Sequence, residues 1–138
     1  MASEAPRKYI PKPYGLDAEF YRHALDGGGL HLQTCADCGR WQHPPRRFCG
    51  ACTSRNLVWR KASGKAAVYS WTVNHFPYDP GWRGEIPYAT VVAETAEGPR
   101  LVGTWAGPLD SLRIGQPIEI RLDQQSDDFA YLVFWPAD

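Results

Sequence analysis

Four cysteines are the residues of this chain whose type and spacing point to a definite chemistry. Cys35-Ala-Asp-Cys38 and Cys49-Gly-Ala-Cys52 are two Cys-x2-Cys pairs separated by ten residues, and together they use all 4 cysteines present. Each pair can bring two thiolates to one edge of a tetrahedron, and Gly39 and Gly50 would let the two knuckle backbones turn tightly. The spacing predicts one structural metal ion on Cys35, Cys38, Cys49 and Cys52, zinc in the first instance. Iron in a rubredoxin-like site uses the same ligands and stays open. A redox Cys-x-x-Cys or a set of ordinary buried thiols would not need two copies at ribbon spacing. Four thiolates close the coordination sphere, so the predicted metal is structural and non-catalytic. His43, beside Pro44 and Pro45, reads as a loop residue rather than a further ligand.

Other chemistry is harder to find. The sequence contains no phosphate-binding Gly loop, nucleophile elbow or metalloprotease helix. His23, His31, His43 and His75 are scattered, and no pattern pairs them with a serine or an acid. No catalytic residue is expected, and whether the chain turns over a substrate itself is left open.

The elements that must position the cysteines follow from periodicity. Pro6, Pro11 and Pro13 forbid a helix at the start and favour an extended arm. Tyr9, Ile10 and Tyr14 on that arm predict that it lies against this domain or a partner. A short helix follows, with Asp17 as N-cap, Leu16 and Tyr21 as a hydrophobic staple, and Phe20 and Ala24 on the buried face. Gly27-Gly28-Gly29 ends it. Residues 30–34 and 57–62 read as strands flanking the two knuckles. Beyond Ser63-Gly64, five runs of period two cover residues 66–76, 87–95, 99–105, 117–123 and 129–135. In the first, Tyr69, Trp71 and Val73 are expected to share a face. In the fourth, Ile118, Ile120 and Leu122 point inward and Glu119, Arg121 and Asp123 outward. The predicted class is mainly β: an N-terminal arm and helix (1–29), a rubredoxin-like four-cysteine zinc ribbon (30–62) and a five-stranded OB-fold barrel (63–138). An SH3-like barrel is the alternative for the last unit.

Charge is divided between the halves. Residues 1–65 hold eleven Lys/Arg against five Asp/Glu, whereas residues 66–138 hold four against ten. The acidic barrel half suits phosphate backbones badly, which argues against nucleic acid as the ligand. No apolar run is long enough to span a membrane, and the first residues lack a secretory signal. A cytoplasmic location is the expectation, and disulfides are not expected there.

A helix ending in glycines, a four-cysteine ribbon, and then Gly64-Lys-Ala-Ala-Val-Tyr-Ser-Trp-Thr-Val73 opening a barrel resemble the zinc-ribbon/OB-fold acyl-CoA-associated family, domain of unknown function thirty-five. The resemblance runs from about Asp17 to Trp135. It implies a non-catalytic accessory subunit that accompanies a thiolase-superfamily enzyme, whether aldolase, thiolase or synthase. Such partners make or break carbon–carbon bonds in acyl-CoA thioesters, and a steroid side-chain or aromatic acyl-CoA is the expected substrate class. In a lipid-metabolism complex of this kind, a hetero-oligomer, the small subunit stabilises its partner and helps form the acyl-CoA site. The aromatic, proline-rich loop carrying Phe76, Tyr78, Trp82 and Arg83 is the candidate interface, because Tyr, Trp and Arg are enriched at interface hot spots. Folding of this loop over the barrel mouth is the competing expectation. Arg46 and Arg47 could meet coenzyme A phosphates bidentately, or simply offset the negative four-thiolate site. A free-standing acyl-CoA-binding protein is the main rival function, followed by a nucleic-acid-binding ribbon/OB protein.

Overall fold

Period-two patterning in the second half of the chain builds a closed barrel. The structure is a computed structural model that describes residues 6–137; residues 1–5 of the expected arm and Asp138 lie outside them. In order come a helix α1 (Gly15–Asp26), strands β1 (His31–Cys35), β2 (Trp41–Gln42) and β3 (Leu57–Lys61), then β4 (Lys65–Asn74), β5 (Tyr88–Thr95), β6 (Arg100–Trp105), β7 (Pro117–Gln124) and β8 (Ala130–Pro136). The first three strands form an antiparallel sheet in the order β2-β1-β3. The last five close on themselves in the order β4-β5-β6-β8-β7. One pairing in the barrel is parallel, Thr104 and Trp105 of β6 against Val133 and Phe134 of β8. That single parallel contact between the third and fifth barrel strands gives the OB connectivity, and it decides against the SH3-like alternative.

Alternation fills the barrel. Along β5, Ala89, Val91, Ala93 and Thr95 are buried while the residues between them are more exposed. Ile118 and Ile120 of β7 point inward, Leu122 is half-buried, and Glu119, Arg121 and Asp123 face solvent as expected. Strand β4 departs from simple alternation. A bulge between Val68 and Ser70 puts Tyr69 on the outside, where the Arg100 guanidinium lies 3.6 Å from its ring centroid. Val68 and Trp71 therefore point inward, three residues apart, and Tyr69 and Trp71 do not share a face.

Helix α1 begins two residues before Asp17, with Tyr14 at the N-cap and no side-chain cap. Asp17 sits in the first turn, where its charge meets the positive end of the helix dipole instead of capping it. Leu16 consequently lies inside the helix, which removes the expected staple. Phe20 and Ala24 form its buried face. Phe20, Leu30, Leu32 and Ala62 share one apolar cluster with the barrel residues Val68, Leu101 and Phe134, so helix, ribbon and barrel pack together.

The arm is tied to the barrel by its backbone. Tyr9 N–H donates to Asp79 Oδ2 (3.1 Å), and the Tyr131 hydroxyl donates to Tyr9 O (3.1 Å). Lys8 pairs with Glu85 and sits 4.1 Å from the Trp82 ring centroid. The side chains of Tyr9, Ile10 and Tyr14 nonetheless face solvent. No helix among the described residues is long and apolar enough to cross a membrane.

Where β6 approaches β8, a Cβ on Gly103 would stand 2.7 Å from Leu132 O and from the Phe134 ring. Gly103→Ala is expected to lower stability by about 1–3 kcal/mol, read as an earlier urea midpoint with unchanged slope.

Candidate metal centre

Two turns of similar design present the cysteines. Cys35 ends β1, and Gly39 N–H donates to Cys35 O (2.8 Å); Gly39 sits at φ 81°, a conformation that costs a side chain. In the second turn Thr53 N–H donates to Cys49 O (3.0 Å), and Thr53 itself takes φ 63°. The left-handed residue thus follows each Cys-x2-Cys pair directly. Gly50, expected to supply the second turn, has no positive φ, and a β-branched residue bears that role instead.

All four sulfurs lie within 4.8 Å of one another. Cys35 Sγ is 3.6 Å from Cys52 Sγ, and Cys38 Sγ is 3.5 Å from Cys49 Sγ. These separations are too long for disulfides. A tetrahedron with metal–sulfur bonds of about 2.3 Å has edges of about 3.8 Å, so the donor set fits one four-thiolate ion. Backbone N–H groups already point at the sulfurs, from Cys38 to Cys35 Sγ and from Ala51 to Cys49 Sγ, each at 3.4 Å.

Electrostatics point the same way. The N–H groups of Cys52 and Ala51 pull the Cys49 thiol down to about 6. Cys52 is pushed up to about 12: the Ser54 N–H works to lower it, but the neighbouring Cys35 sulfur, burial and the other two sulfurs outweigh that donor. One thiolate forms readily, and its charge then opposes the last. A divalent cation at the centre removes that opposition.

Side-chain bridges fix the turns to the sheet. Asp37 accepts from Ser54 Oγ and from Asn56 Nδ2 (2.9 Å), joining the first turn to the segment after the second, and these two bonds hold its carboxyl below the usual range. Gln33 is buried on β1 and works on the intervening loop: its Nε2 donates to Arg46 O (2.9 Å), and its Oε1 accepts from Arg46 N–H (2.8 Å) and Gln42 Nε2 (2.9 Å). Gln42 in turn donates to Phe48 O (3.1 Å) and accepts from Gly50 N–H (3.0 Å). Sequence reasoning missed this pair of glutamines. The signal was available only as polar residues inside otherwise strand-like runs.

The other candidate residues separate into two places. Phe76 and Tyr78 project into solvent as a T-shaped pair, ring centroids 4.9 Å apart. Trp82 turns inward on the short 3-10 turn Pro80–Glu85, against Tyr88 (4.7 Å) and Tyr131 (6.0 Å), while Arg83 beside it is exposed. Asp79 caps this turn by accepting from Gly81 N–H (2.9 Å), and the Gly81 and Tyr9 N–H groups lower its carboxyl value. Arg46 and Arg47 are exposed on the ribbon. His43 is half-buried against Phe20, ring centroids 5.1 Å apart, and burial lowers its basicity.

Comparison with known proteins follows this division. Residues 22–58 match the family described as "ChsH2, rubredoxin-like zinc ribbon domain", and residues 59–123 match "ChsH2, C-terminal OB-fold domain". A solved structure titled "Ltp2-ChsH2(DUF35) aldolase" contains a chain 32% identical to this one, with TM-score 0.81 over 94% of this chain and 100% of that one. A DUF35-family protein of unknown function from Sulfolobus solfataricus shares the fold at 20% identity and TM-score 0.60, over 89% of this chain and 87% of that one. Among curated proteins, a "Probable enoyl-CoA hydratase alpha subunit" of Thermomonospora curvata is 32% identical over 99% of this chain and 43% of its own length. A "3-oxo-4,17-pregnadiene-20-carboxyl-CoA hydratase alpha subunit" of Mycobacterium tuberculosis is 31% identical over 74% of this chain and 32% of its own. The chain therefore spans less than half the length of either curated relative.

Cys38→Ser is expected to abolish stoichiometric metal binding, measured by elemental analysis, and to remove amide-exchange protection from β1–β3. Retention also depends on pH. Ligand thiols must lose their protons to bind, so acidification through about 6, where even the Cys49 thiol is protonated, weakens metal retention and alkalinisation strengthens it. Residual metal after dialysis at stepped pH reads this directly. Gln33→Ala strands the Arg46 backbone groups and is expected to cost about 2–3 kcal/mol, with metal content retained at neutral pH.

Proposed function

We propose, from the premise that this chain belongs to the ChsH2 (DUF35) family, that it is a non-catalytic accessory subunit of a complex that processes acyl-CoA thioesters. Its ion is zinc, held by Cys35, Cys38, Cys49 and Cys52, and its role is to keep the ribbon folded. The catalytic partner in this reading is a thiolase-superfamily enzyme, an aldolase or thiolase, that cleaves or forms carbon–carbon bonds in a steroid side-chain or aromatic acyl-CoA. The chain stabilises that partner and helps form the acyl-CoA site.

The observation that carries the reading is the match, along nearly its whole length, to a chain in a structure titled as an Ltp2–ChsH2 aldolase. Two features of the molecule support it. Four thiolates leave no open coordination position for a substrate or a nucleophilic water. The arm and the loop before the 3-10 turn also present Tyr9, Ile10, Phe76 and Tyr78 to solvent on segments bonded to each other. Exposed apolar groups gathered in this way mark a contact surface. Two relatives carry hydratase names, and this reading places hydration in the part of those proteins that the present chain does not span.

Co-expression with a thiolase-like partner is expected to give a stable complex with carbon–carbon cleavage activity on an acyl-CoA, and the purified chain alone none. Turnover by this chain without a companion would overturn the reading. Phe76→Ala/Tyr78→Ala should leave metal content and unfolding unchanged and weaken the complex by about 2 kcal/mol or more, measured by calorimetry or sizing. Trp82 is the poorer probe, because its loss also frees Lys8 and the arm.

A further inference from the structure

Arginines of the ribbon converge on a cleft that the metal does not use. Between α1 and the ribbon lies a cavity of about 610 Å³ whose walls include Arg46, Arg47 and Arg55, with Phe48 as an exposed aromatic surface, Trp59 already stacked on His23, and Glu19 as the one acid. This volume falls within the range of about 300–1,000 Å³ common for small-molecule sites. All three arginines are exposed, and none has a carboxylate partner among the described residues. Arg46 uses only its backbone groups on Gln33, which leaves its guanidinium free while fixing its Cα. Arg55 lies 4.9 Å from the centroid of the exposed Phe48 ring, so a guanidinium and an open aromatic face stand together at the cleft. Glu19 is one negative charge against the three arginines, and Arg22, 4.0 Å from it, adds a fourth cation on that side of α1.

Guanidinium forks select phosphates bidentately, and an aromatic wall beside them selects a planar base. The other two large cavities offer less of this combination. The cleft between the ribbon and the β5–β6 turn sets Arg40 and Arg46 against Glu97, and the groove between the arm and the barrel is mainly apolar. We infer that the α1–ribbon cleft binds a multiply phosphorylated nucleotide, with phosphates on Arg46, Arg47 and Arg55 and the base against Phe48. The choice of the phosphorylated adenosine end of coenzyme A as that nucleotide rests on the proposed function; the anionic, aromatic character of the ligand does not.

The test is calorimetric titration of the full, zinc-loaded chain with adenosine 3′,5′-bisphosphate, ADP, inorganic phosphate and a single-stranded oligonucleotide. Saturable binding of adenosine 3′,5′-bisphosphate is expected, weakening with salt and falling about tenfold or more in Arg46→Gln/Arg55→Gln. Arg121→Gln, on the outer face of the barrel, should bind like the parent chain. Metal content and unfolding of each variant report that the fold is intact. Four results would overturn the inference: no binding at millimolar ligand, equal loss in Arg121→Gln, inorganic phosphate binding as tightly as the nucleotide, or an oligonucleotide binding more tightly than either. Any of these alongside an intact partner complex removes the cleft assignment and leaves the accessory role standing. Nucleotide binding without any partner complex does the reverse.

Discussion

Four sulfurs held within 4.8 Å of one another form a cluster that cannot carry its full charge unaided. The spread between Cys49 at about 6 and Cys52 at about 12 expresses this: each thiolate that forms makes the next more costly. A cation that accepts all four converts that repulsion into the strongest local attraction in the ribbon. The surrounding architecture is arranged around the same requirement. Two backbone turns aim N–H groups at sulfur, Asp37 links the two turns, and the Gln33–Gln42 pair holds the loop between them. The ribbon's own apolar residues, Leu30, Leu32, Trp41 and Trp59, pack into or against the barrel's cluster, and the polar ties, with the cation that the donor set fits, would hold the two cysteine turns that this packing does not reach.

The barrel meets its needs differently. Closure removes free edges, and the alternating strands fill the interior with Val68, Val91, Leu101, Ile118 and Phe134. Its outer surface carries single cation–π pairs such as Arg121 over Trp135, which leave aromatic surface covered without drawing it inside. Ribbon and barrel are joined by Phe20, Leu30, Leu32 and Ala62, so the scaffold built on the cysteines and the scaffold built on burial share one apolar cluster. A chain organised in this way leaves two features in solvent: aromatic side chains on the arm and the 76–85 loop, and arginines on the ribbon.

Much of this was legible in the residues alone, and the misses have common causes. The cysteine spacing located the metal-binding arrangement, because ligand pairs three apart in sequence need only a local turn to converge. Period-two runs located all five barrel strands within a residue or two. The Tyr69 bulge escaped, since one extra residue in a strand leaves no mark on composition. The helix start escaped as well: Asp17 is a good capping residue, but the chain entering from the arm reaches helical geometry at Gly15. Thr53 in a left-handed turn could not be foreseen, because the conformation is imposed by the ligand pair before it and not by the residue's preference.

By itself the sequence determined the donor set, the five barrel strands and the division of charge, because each is written in local spacing and composition; the two-residue strand Trp41–Gln42 left no such pattern and came only with the fold. Tertiary structure decided which aromatic groups were covered. Trp82 turned inward because Lys8 and Tyr131 came from distant segments to meet it beside Tyr88 of the strand that follows, whereas Phe76 and Tyr78 stay exposed, paired with each other. It also set Arg46, Arg47, Phe48 and Arg55, neighbours in sequence, across a cleft from Glu19 and His23 of α1, through a loop tied to the buried Gln33 on β1. Such placements depend on contacts between residues far apart along the chain, and spacing in the sequence carries no record of them.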